Sequence, residues 1–212
     1  MIRVLMIDDH DLVRAGFRLI LTSAADIDVV GEAGTAEAGI ELARRLKPNV
    51  VLMDLNLPGM SGIEATERLT RSDGGPKVIA LTMQDQPPFP KRMLEVGALG
   101  FLNKGCPADE LIAAVRAVAE GKRYLGAQIA QAMALESINP AGSEAPFQSL
   151  SARELEVAIA IAQGQSMPEI AKRMALSPKT VATYKYRVYE KLGVTNEVAL
   201  ASLAARYGIV LR

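Results

Sequence analysis

Short apolar runs alternate with stretches of helical periodicity over the first part of the chain. The runs have the length of strands, whereas the stretches between them repeat apolar residues every three or four positions. Parallel strands need crossover helices, and strands covered on both faces are apolar almost throughout. The alternation therefore predicts an α/β doubly wound, five-stranded parallel sheet. The predicted strands are 4–7, 29–33, 50–53, 78–82 and 100–102, and the predicted helices are 12–23, 36–47, 63–70, 91–96 and 107–120.

The rest of the chain contains only helical patterns. Residues 126–137 predict one further helix, and residues 138–148, rich in Pro, Gly and Ser, are typical of a linker. The periodic segments beyond it predict an all-α domain of four helices, at 152–163, 168–174, 178–191 and 197–207. We therefore divide the chain into an α/β domain, a helix with a linker, and a four-helix domain, at 1–121, 122–148 and 149–212.

The composition of the chain argues against a membrane protein, a disulfide-bonded protein and a zinc protein. No apolar run approaches the roughly 18 to 20 residues of a membrane span, and the first residues lack the pattern of a signal peptide. The single cysteine, Cys106, excludes an internal disulfide, and the single histidine excludes a zinc site of ordinary spacing. We expect a soluble, cytoplasmic protein with no membrane partner.

The net charge of zero hides an asymmetry between the two ends of the chain. From Ser149 onward, nine Lys and Arg residues stand against five Asp and Glu residues, so the residues before it carry an excess of acid. A basic domain suits nucleic acid, and an acidic domain suits a cation.

Three carboxylates follow predicted strands of the first domain. Asp8 and Asp9 come directly after the first strand, and Asp54 follows the third. In a doubly wound sheet these two strands are neighbours at the point where the strand order reverses, so their carboxyl ends meet. Uncompensated carboxylates would raise one another's pKa, and Mg²⁺ prefers oxygen ligands. The pattern therefore predicts a Mg²⁺ site.

Two more polar residues stand at the ends of the fourth and fifth predicted strands: Thr82 is the last residue of the fourth, and Lys104 comes shortly after the fifth. A hydroxyl and an ammonium beside a metal-bound carboxylate suit a phosphoryl group in transfer, with Asp54 as the nucleophile that becomes an acyl phosphate. Each residue alone has an ordinary interpretation, as a helix cap, a turn residue or solvated surface. Their combination favours the phosphoryl site, whereas we interpret His10 as local structure rather than as a ligand or base.

The basic end of the chain has the pattern of a helix-turn-helix. Ser151 and Glu154 form a capping box, and residues 168–194 predict a helix, a short turn and a second helix. The outer face of that second helix is rich in basic and polar residues, which a solvated face would also explain. If it enters the major groove, Thr183, Tyr186 and Arg187 are the expected base readers and the lysines the expected phosphate contacts. The full candidate set is Lys179, Thr180, Ala182, Thr183, Lys185, Tyr186, Arg187 and Lys191.

The last predicted helix carries more apolar surface than a small helical domain needs to cover. We expect part of this surface to pair with a second copy, which predicts a homodimer on DNA. The candidate dimer residues are Val198, Leu200, Ala201, Leu203 and Ala204.

These motifs resemble a known family. MIDDH, MDLNLPGMSG, ALT and GFLNKG, at 6–10, 53–62, 80–82 and 100–105, resemble the receiver domain of two-component response regulators, and 150–206 resembles the LuxR-type (NarL/FixJ) output domain. The resemblance implies that a sensor histidine kinase phosphorylates Asp54 and that double-stranded DNA is the target. It also implies Asp9 as a direct metal ligand, Asp8 as a ligand often acting through water, the Asn56 carbonyl as a further ligand, Thr82 and Phe101 as the switch pair, and Lys104 as the family lysine.

The sequence departs from the family pattern at two positions. Gly105 follows Lys104 where many receivers have proline, and Ala182 stands where a polar or basic residue is common. Longer matches in DDHDLVRAGFRLIL, PFPKRMLEVGALGF and SPKTVATYKYRVYEKL look close to the GacA/UvrY branch of the family. That branch implies a hybrid kinase of the GacS/BarA type and control of small regulatory RNAs.

Two other functions fit part of the sequence. A regulator that binds DNA independently of phosphorylation would not need the intact Asp9, Asp54, Thr82 and Lys104. A phosphatase with an aspartyl nucleophile would need a second Asp two residues after the nucleophile, where Asn56 stands after Asp54 and His10 after Asp8. We therefore expect a response regulator transcription factor rather than an enzyme.

Overall fold

A computed structural model describes residues 1–71, 74–83, 89–138 and 146–207 of the chain. Most of the predicted linker, at 139–145, lies outside the described residues. The chain divides into two compact units, the first ending at Gln131 and the second continuing from Ala132. No described helix has the length and apolar content that crossing a membrane would require.

The first unit contains a parallel sheet with strand order β2-β1-β3-β4-β5-β6. The strands are β1 Ile2–Ile7, β2 Ile27–Ala33, β3 Val50–Asp54, β4 Lys77–Thr82, β5 Gly100–Asn103 and β6 Tyr124–Leu125. The helices are α1 Asp11–Thr22, α2 Ala36–Leu46, α3 Gly62–Thr70, α4 Phe89–Glu95 and α5 Ala108–Ala119. The doubly wound parallel sheet is confirmed.

The expected strand count of five needs a correction, because the structure adds β6 at the edge of the sheet. This strand has only two residues, which pair with Gly100 and Phe101 of β5. A two-residue strand is too short to show an apolar period in the sequence, so only the pairing reveals it.

The order of the central strands places the acidic residues. The strands β1 and β3 are neighbours, with Val4 opposite Val50 and Ile7 opposite Met53. All five residues of β3 are buried, as expected for a strand covered on both faces. Since the strands are parallel, the residues after Ile7 and the last residue of β3 reach the same edge of the sheet.

Gly62 allows α3 to begin directly against the end of β3. A β-carbon at Gly62 would lie 1.9 Å from the carbonyl oxygen of Asp54 and 2.9 Å from the α-carbon of Leu55. The Gly62 amide donates to the Leu55 carbonyl at 3.1 Å, and the Ser61 hydroxyl caps the helix by accepting from the Glu64 amide. Only glycine fits this close approach, which holds the backbone of Asp54 in place.

Four α-helices are present in the described residues of the second unit from 146 onward. They are α7 Ala152–Ala162, α8 Met167–Arg173, α9 Pro178–Leu192 and α10 Glu197–Arg206, preceded by a 3-10 turn at Pro146–Ser149. The helix α6, Ala127–Ile138, crosses the boundary between the two units. The helix α9 begins at the Ser177 cap with Pro178 in its first turn and ends at Gly193, whose φ is +64°. The predicted four-helix domain is confirmed.

We expect Gly62→Ala to destabilise the protein by about 3 kcal/mol or more, because backbone atoms rather than flexible side chains oppose the new methyl group. Gly16→Ala is the matched control, since Gly16 lies in α1 with open space around its β-carbon position. The control should stabilise the helix by up to about 1 kcal/mol. Urea midpoints from circular dichroism measure both effects, and equal midpoints for the two variants would contradict the packing described.

Candidate functional site

The structure brings the three carboxylates together at the carboxyl end of the sheet. One ligand atom from each of Asp8, Asp9, His10 and Asp54 can be chosen so that all lie within 4.8 Å of one another. Asp8 and Asp54 are buried, whereas the Asp9 side chain is about one-third exposed. The expected convergence is therefore present, with one carboxylate open to solvent.

Lys104 supplies the counter-charge inside this cluster. Its Nζ lies 2.7 Å from Asp8 Oδ2 and 2.8 Å from Asp54 Oδ2, and its side chain is only 5% exposed. These two buried oxygens make no other hydrogen bond among the described residues. The ammonium therefore holds together the ends of three strands: β1, β3 and β5.

Hydrogen bonds fix the turn after β5, where Gly105 rather than proline follows Lys104. The Lys104 amide donates to the Thr82 carbonyl at 2.7 Å, which continues the pairing of β4 with β5. The Gly105 amide donates to the side-chain oxygen of Asn103 at 2.6 Å. These bonds fix the turn through side-chain and backbone contacts of this chain.

The pKa values of Asp54 and Lys104 are both raised, but for different reasons. Burial raises the pKa of Asp54, as does the charge of Asp8, and the hydrogen bond from Lys104 only partly offsets this rise. Burial alone would lower the pKa of Lys104, but the hydrogen bonds and charges of Asp54 and Asp8 raise it overall. The contact with Lys104 therefore counteracts the effect of burial on the Asp54 carboxylate, and the two carboxylates favour the charged form of the ammonium.

The remaining predicted receiver residues occupy defined places. Thr82 ends β4 with 1% exposure, and Phe101 in β5 is completely buried. Asn56 is exposed, and its backbone amide donates to Asp54 Oδ1 at 3.2 Å. The switch roles of Thr82 and Phe101 and the ligand role of the Asn56 carbonyl remain predictions.

Two residues that the sequence analysis did not identify support the loops around the site. The Arg14 guanidinium donates to the Asp8 carbonyl and to the Glu32 carboxylate, and so ties the β1–α1 loop to β2. Glu37 of α2 accepts from the Met60 amide at 3.2 Å, in the loop after Asp54. Both bonds join residues from different elements, and no local pattern in the sequence signals them.

The candidate DNA-binding residues on the predicted recognition helix, α9, differ in their exposure to solvent. Lys179, Thr183, Tyr186 and Arg187 are exposed, whereas Thr180, Ala182 and Lys185 are partly buried. The Lys185 ammonium lies 2.7 Å from Glu197 Oε1 and 5.5 Å from the centre of the Tyr189 ring. The exposed set leaves the outer face of α9 open for a ligand.

Lys191, at the end of α9, has a partner within its own domain. Its Nζ lies 2.6 Å from Glu154 Oε2 and 3.3 Å from the Ser149 carbonyl. The same Glu154 oxygen accepts from the Ser151 amide in the capping box of α7. Burial would raise the pKa of Glu154, but the hydrogen bonds from Lys191 and Ser151 lower it overall. Lys191 thus joins the last turn of α9 to the first turn of α7.

The candidate dimer residues require a correction. Leu200 and Ala204 are completely buried, and α10 packs against α7, so these two side chains belong to the core of the output domain. Val198 is 79% exposed, and Ala201 and Leu203 are partly exposed. Residues four apart, such as Leu200 and Ala204, lie on the same face of a helix. The sequence alone did not show whether that face points into the domain or toward solvent.

Comparisons with known proteins identify both units. Residues 4–116 match the response regulator receiver domain, and residues 148–204 match the bacterial regulatory proteins of the luxR family. The chain belongs to the two-component response regulators. It is 47% identical over 210 residues to the response regulator GacA of Pseudomonas aeruginosa, covering 99% of this chain and 98% of that protein. It is 45% identical over 209 residues to UvrY of Escherichia coli, covering 99% and 96%.

Solved structures agree with this assignment. RcsB of Salmonella enterica serovar Typhimurium, bound to the promoter rprA in the presence of the phosphomimetic BeF3⁻, is 30% identical, with a TM-score of 0.65 over 97% of this chain and 99% of that one. This response regulator is therefore a LuxR-family transcription factor, and the expected likeness to GacA and UvrY is confirmed.

We expect Lys104→Met to destabilise this regulator by about 3–5 kcal/mol at neutral pH, because it leaves two buried carboxylates without their counter-charge. A carboxylate whose folded pKa lies above its unfolded value stabilises the fold below the unfolded pKa and loses that contribution as pH rises. Without Lys104 the pKa of Asp54 rises further, so the deficit should narrow as pH falls toward the ordinary carboxyl range.

Urea unfolding at several pH values measures this deficit, and Lys104→Met combined with Asp54→Asn is the matched control. The double variant removes one of the two uncompensated charges and should recover part of the loss. A deficit that stays constant with pH, or that grows in the double variant, would show that Lys104 does not act as the counter-charge.

Proposed function

We propose that Asp54 accepts a phosphoryl group from the phosphohistidine of a sensor histidine kinase, and that phosphorylation promotes dimeric, sequence-specific DNA binding and transcriptional control. The observation that carries the proposal is the buried Asp54 carboxylate, which shares the Lys104 ammonium with Asp8 where the strand order reverses. A buried nucleophile beside a fixed cation suits transfer of an anionic group.

The donor set of the site fits Mg²⁺. Three carboxylates lie within reach of one ion, and hard oxygen ligands are those that Mg²⁺ takes. Asp8, Asp9 and Asp54 would hold it, with the Asn56 carbonyl as a further ligand. Bound there, Mg²⁺ would neutralise charge on the phosphoryl oxygens.

Asp54 and Lys104 have different roles in the proposed phosphoryl transfer. A carboxylate oxygen of Asp54 attacks phosphorus, an O–P bond forms, and the N–P bond to the kinase imidazole breaks so that its electron pair stays on nitrogen. Lys104 is held in place to neutralise a phosphoryl oxygen, since its ammonium already contacts Asp54 Oδ2. In this scheme the phosphoryl group stays on Asp54 as a signal, so we propose a regulator rather than a phosphatase.

The signal then passes to the switch residues. Thr82 is the last residue of β4, the strand that pairs with the end of β3 at Asp54, so its hydroxyl would reach the phosphoryl group in the active state, and Phe101 would respond by changing position. This is a shift between two populated states, biased by the new charge.

The output domain supports DNA as the target. The exposed face of α9 carries Lys179, Thr183, Tyr186 and Arg187, and the related RcsB has been solved in a complex with DNA. Exposed Val198, with the partly exposed Ala201 and Leu203 of α10, supports pairing of two copies. Two paired recognition helices would reach half-sites about one helical turn apart.

Likeness to GacA and UvrY supports a more specific pathway. We place the protein in the cytoplasm, with a hybrid histidine kinase of the GacS/BarA type as its partner and genes for small regulatory RNAs as its targets. Identity of 45–47% over nearly the whole chain supports this part of the proposal.

We expect Asp54→Asn to abolish phosphorylation, because the variant lacks the nucleophilic oxygen. Protein incubated with Mg²⁺ and acetyl phosphate should gain one phosphoryl group in intact mass, and the variant none. Asp28→Asn, which removes an exposed carboxylate from β2, is the control and should react like the parent. Persistent labelling of Asp54→Asn would place the acceptor elsewhere.

We expect Lys179→Ala to weaken binding to specific and scrambled DNA alike. The salt slope, meaning the slope of the logarithm of the binding constant against the logarithm of salt concentration, should become smaller in magnitude by about 1 per contact in each half-site. Lys191→Ala is the matched variant, because it removes the same charge from the same helix. Since Lys191 contacts Glu154, that change should lower stability by about 1 kcal/mol and leave the salt slope intact.

Binding isotherms at several salt concentrations, with urea unfolding of each variant, separate the two effects. An unchanged salt slope in Lys179→Ala would remove that residue from the DNA interface. A reduced slope in Lys191→Ala would show that Lys191 leaves Glu154 to contact phosphate, as the sequence alone predicted.

A further inference from the structure

The imidazole of His10 lies on the acidic cluster rather than beside it. Its Nδ1 is 2.9 Å from Asp9 Oδ1, 3.2 Å from Asp8 Oδ1 and 4.0 Å from Asp54 Oδ2. The ring is 61% exposed, whereas the side chain of Lys104, which contacts Asp8 and Asp54, is only 5% exposed. The site therefore combines three carboxylates with one nitrogen donor.

The position of the ring is not explained by helix capping. His10 is the N-cap residue of α1, but its side chain makes no capping hydrogen bond. Its backbone amide donates to Asp8 Oδ1 at 2.9 Å, and this bond would form with any residue except proline. The imidazole contacts the carboxylates themselves, because Nδ1 lies within hydrogen-bond distance of Asp8 Oδ1 and Asp9 Oδ1, so a cation bound to these oxygens would compete with a proton for the ring nitrogen.

The distances match those between neighbouring ligands of a metal ion. Ligand atoms about 2.1 Å from an octahedral ion lie about 3 Å from one another when they are adjacent. The separations from His10 Nδ1 to the Asp9 and Asp8 oxygens have this size. An ion bound by these carboxylates could take the ring nitrogen with little movement of the loop.

We propose that His10 Nδ1 is a further ligand at this site, and that it makes the site prefer a first-row transition cation such as Mn²⁺ over Mg²⁺. Carboxylates suit both ions, whereas imidazole nitrogen favours the transition metals. The inference rests on the proposed function to the extent that the same acidic cluster binds the divalent cation.

The chain offers an unusually clean spectroscopic test, because His10 is its only histidine. In full-length protein without a histidine tag, any imidazole nitrogen coupled directly to bound Mn²⁺ must come from His10. Pulsed electron paramagnetic resonance of the Mn²⁺ complex should show this nitrogen coupling in the parent and lose it in His10→Ala.

Binding measurements give a second readout. Mn²⁺ titrations, alone and in competition with Mg²⁺, measure the affinity for each ion. We expect His10→Ala to bind Mn²⁺ at least about tenfold more weakly than the parent, because loss of a residue that only supports a metal ligand already has an effect of about this size. The affinity for Mg²⁺ should not fall. Asp11→Ala is the control for local charge, since Asp11 begins α1 with a 93% exposed side chain outside the cluster and should keep the nitrogen coupling.

The outcomes distinguish the inference from the proposed function. If Mn²⁺ binds in an Asp9-dependent manner but shows no nitrogen coupling, the ring has moved aside and the role of His10 is overturned while the acidic site stands. If the parent binds neither ion, or Asp9→Asn binds both as well as the parent, the metal site itself is refuted and the inference fails with it.

Discussion

The ion triad of Lys104 with Asp8 and Asp54 is the interaction on which the first domain depends. Two carboxylates and one ammonium are buried together, with nitrogen to oxygen distances of 2.7 and 2.8 Å. Removing such charges from water costs several kcal/mol per ion, which their mutual attraction offsets only when all partners are present. A hydrophobic cluster of the same size would stabilise the fold at least as well, so the triad is better explained by chemistry than by stability.

The geometry around the triad follows from that requirement. The Asp54 backbone is held by the close approach of Gly62, the loop after it by Glu37, and the Asp8 carbonyl by Arg14. The turn that carries Lys104 is closed by the Asn103 side chain. Each contact restricts one loop at the carboxyl end of the sheet, so the charged groups meet without a search through side-chain conformations.

The sequence predicted what depends on periodicity and strand order. The apolar runs located five of the six strands found in the described residues, and the rule that ligands gather at the reversal of strand order brought Asp8, Asp9 and Asp54 together. It missed β6, because two residues have no period, and it missed Arg14 and Glu37, because their partners are distant in the sequence. Contacts between elements are properties of the folded chain and leave no local pattern.

The output domain shows the same limit for side-chain roles. The sequence predicted Lys191 as a phosphate contact, because the sequence alone does not distinguish a lysine that pairs within its own domain from one that is free to bind DNA. In the fold, its ammonium meets the carboxylate that also caps α7, so one Glu154 oxygen serves both the start of α7 and the end of α9. Lys179 makes no ion pair within the described residues and stands free at the start of α9. A cation that already has a buried partner gains less from a phosphate than one that has only water, so the Lys191–Glu154 contact favours Lys179 over Lys191 as the electrostatic contact with DNA.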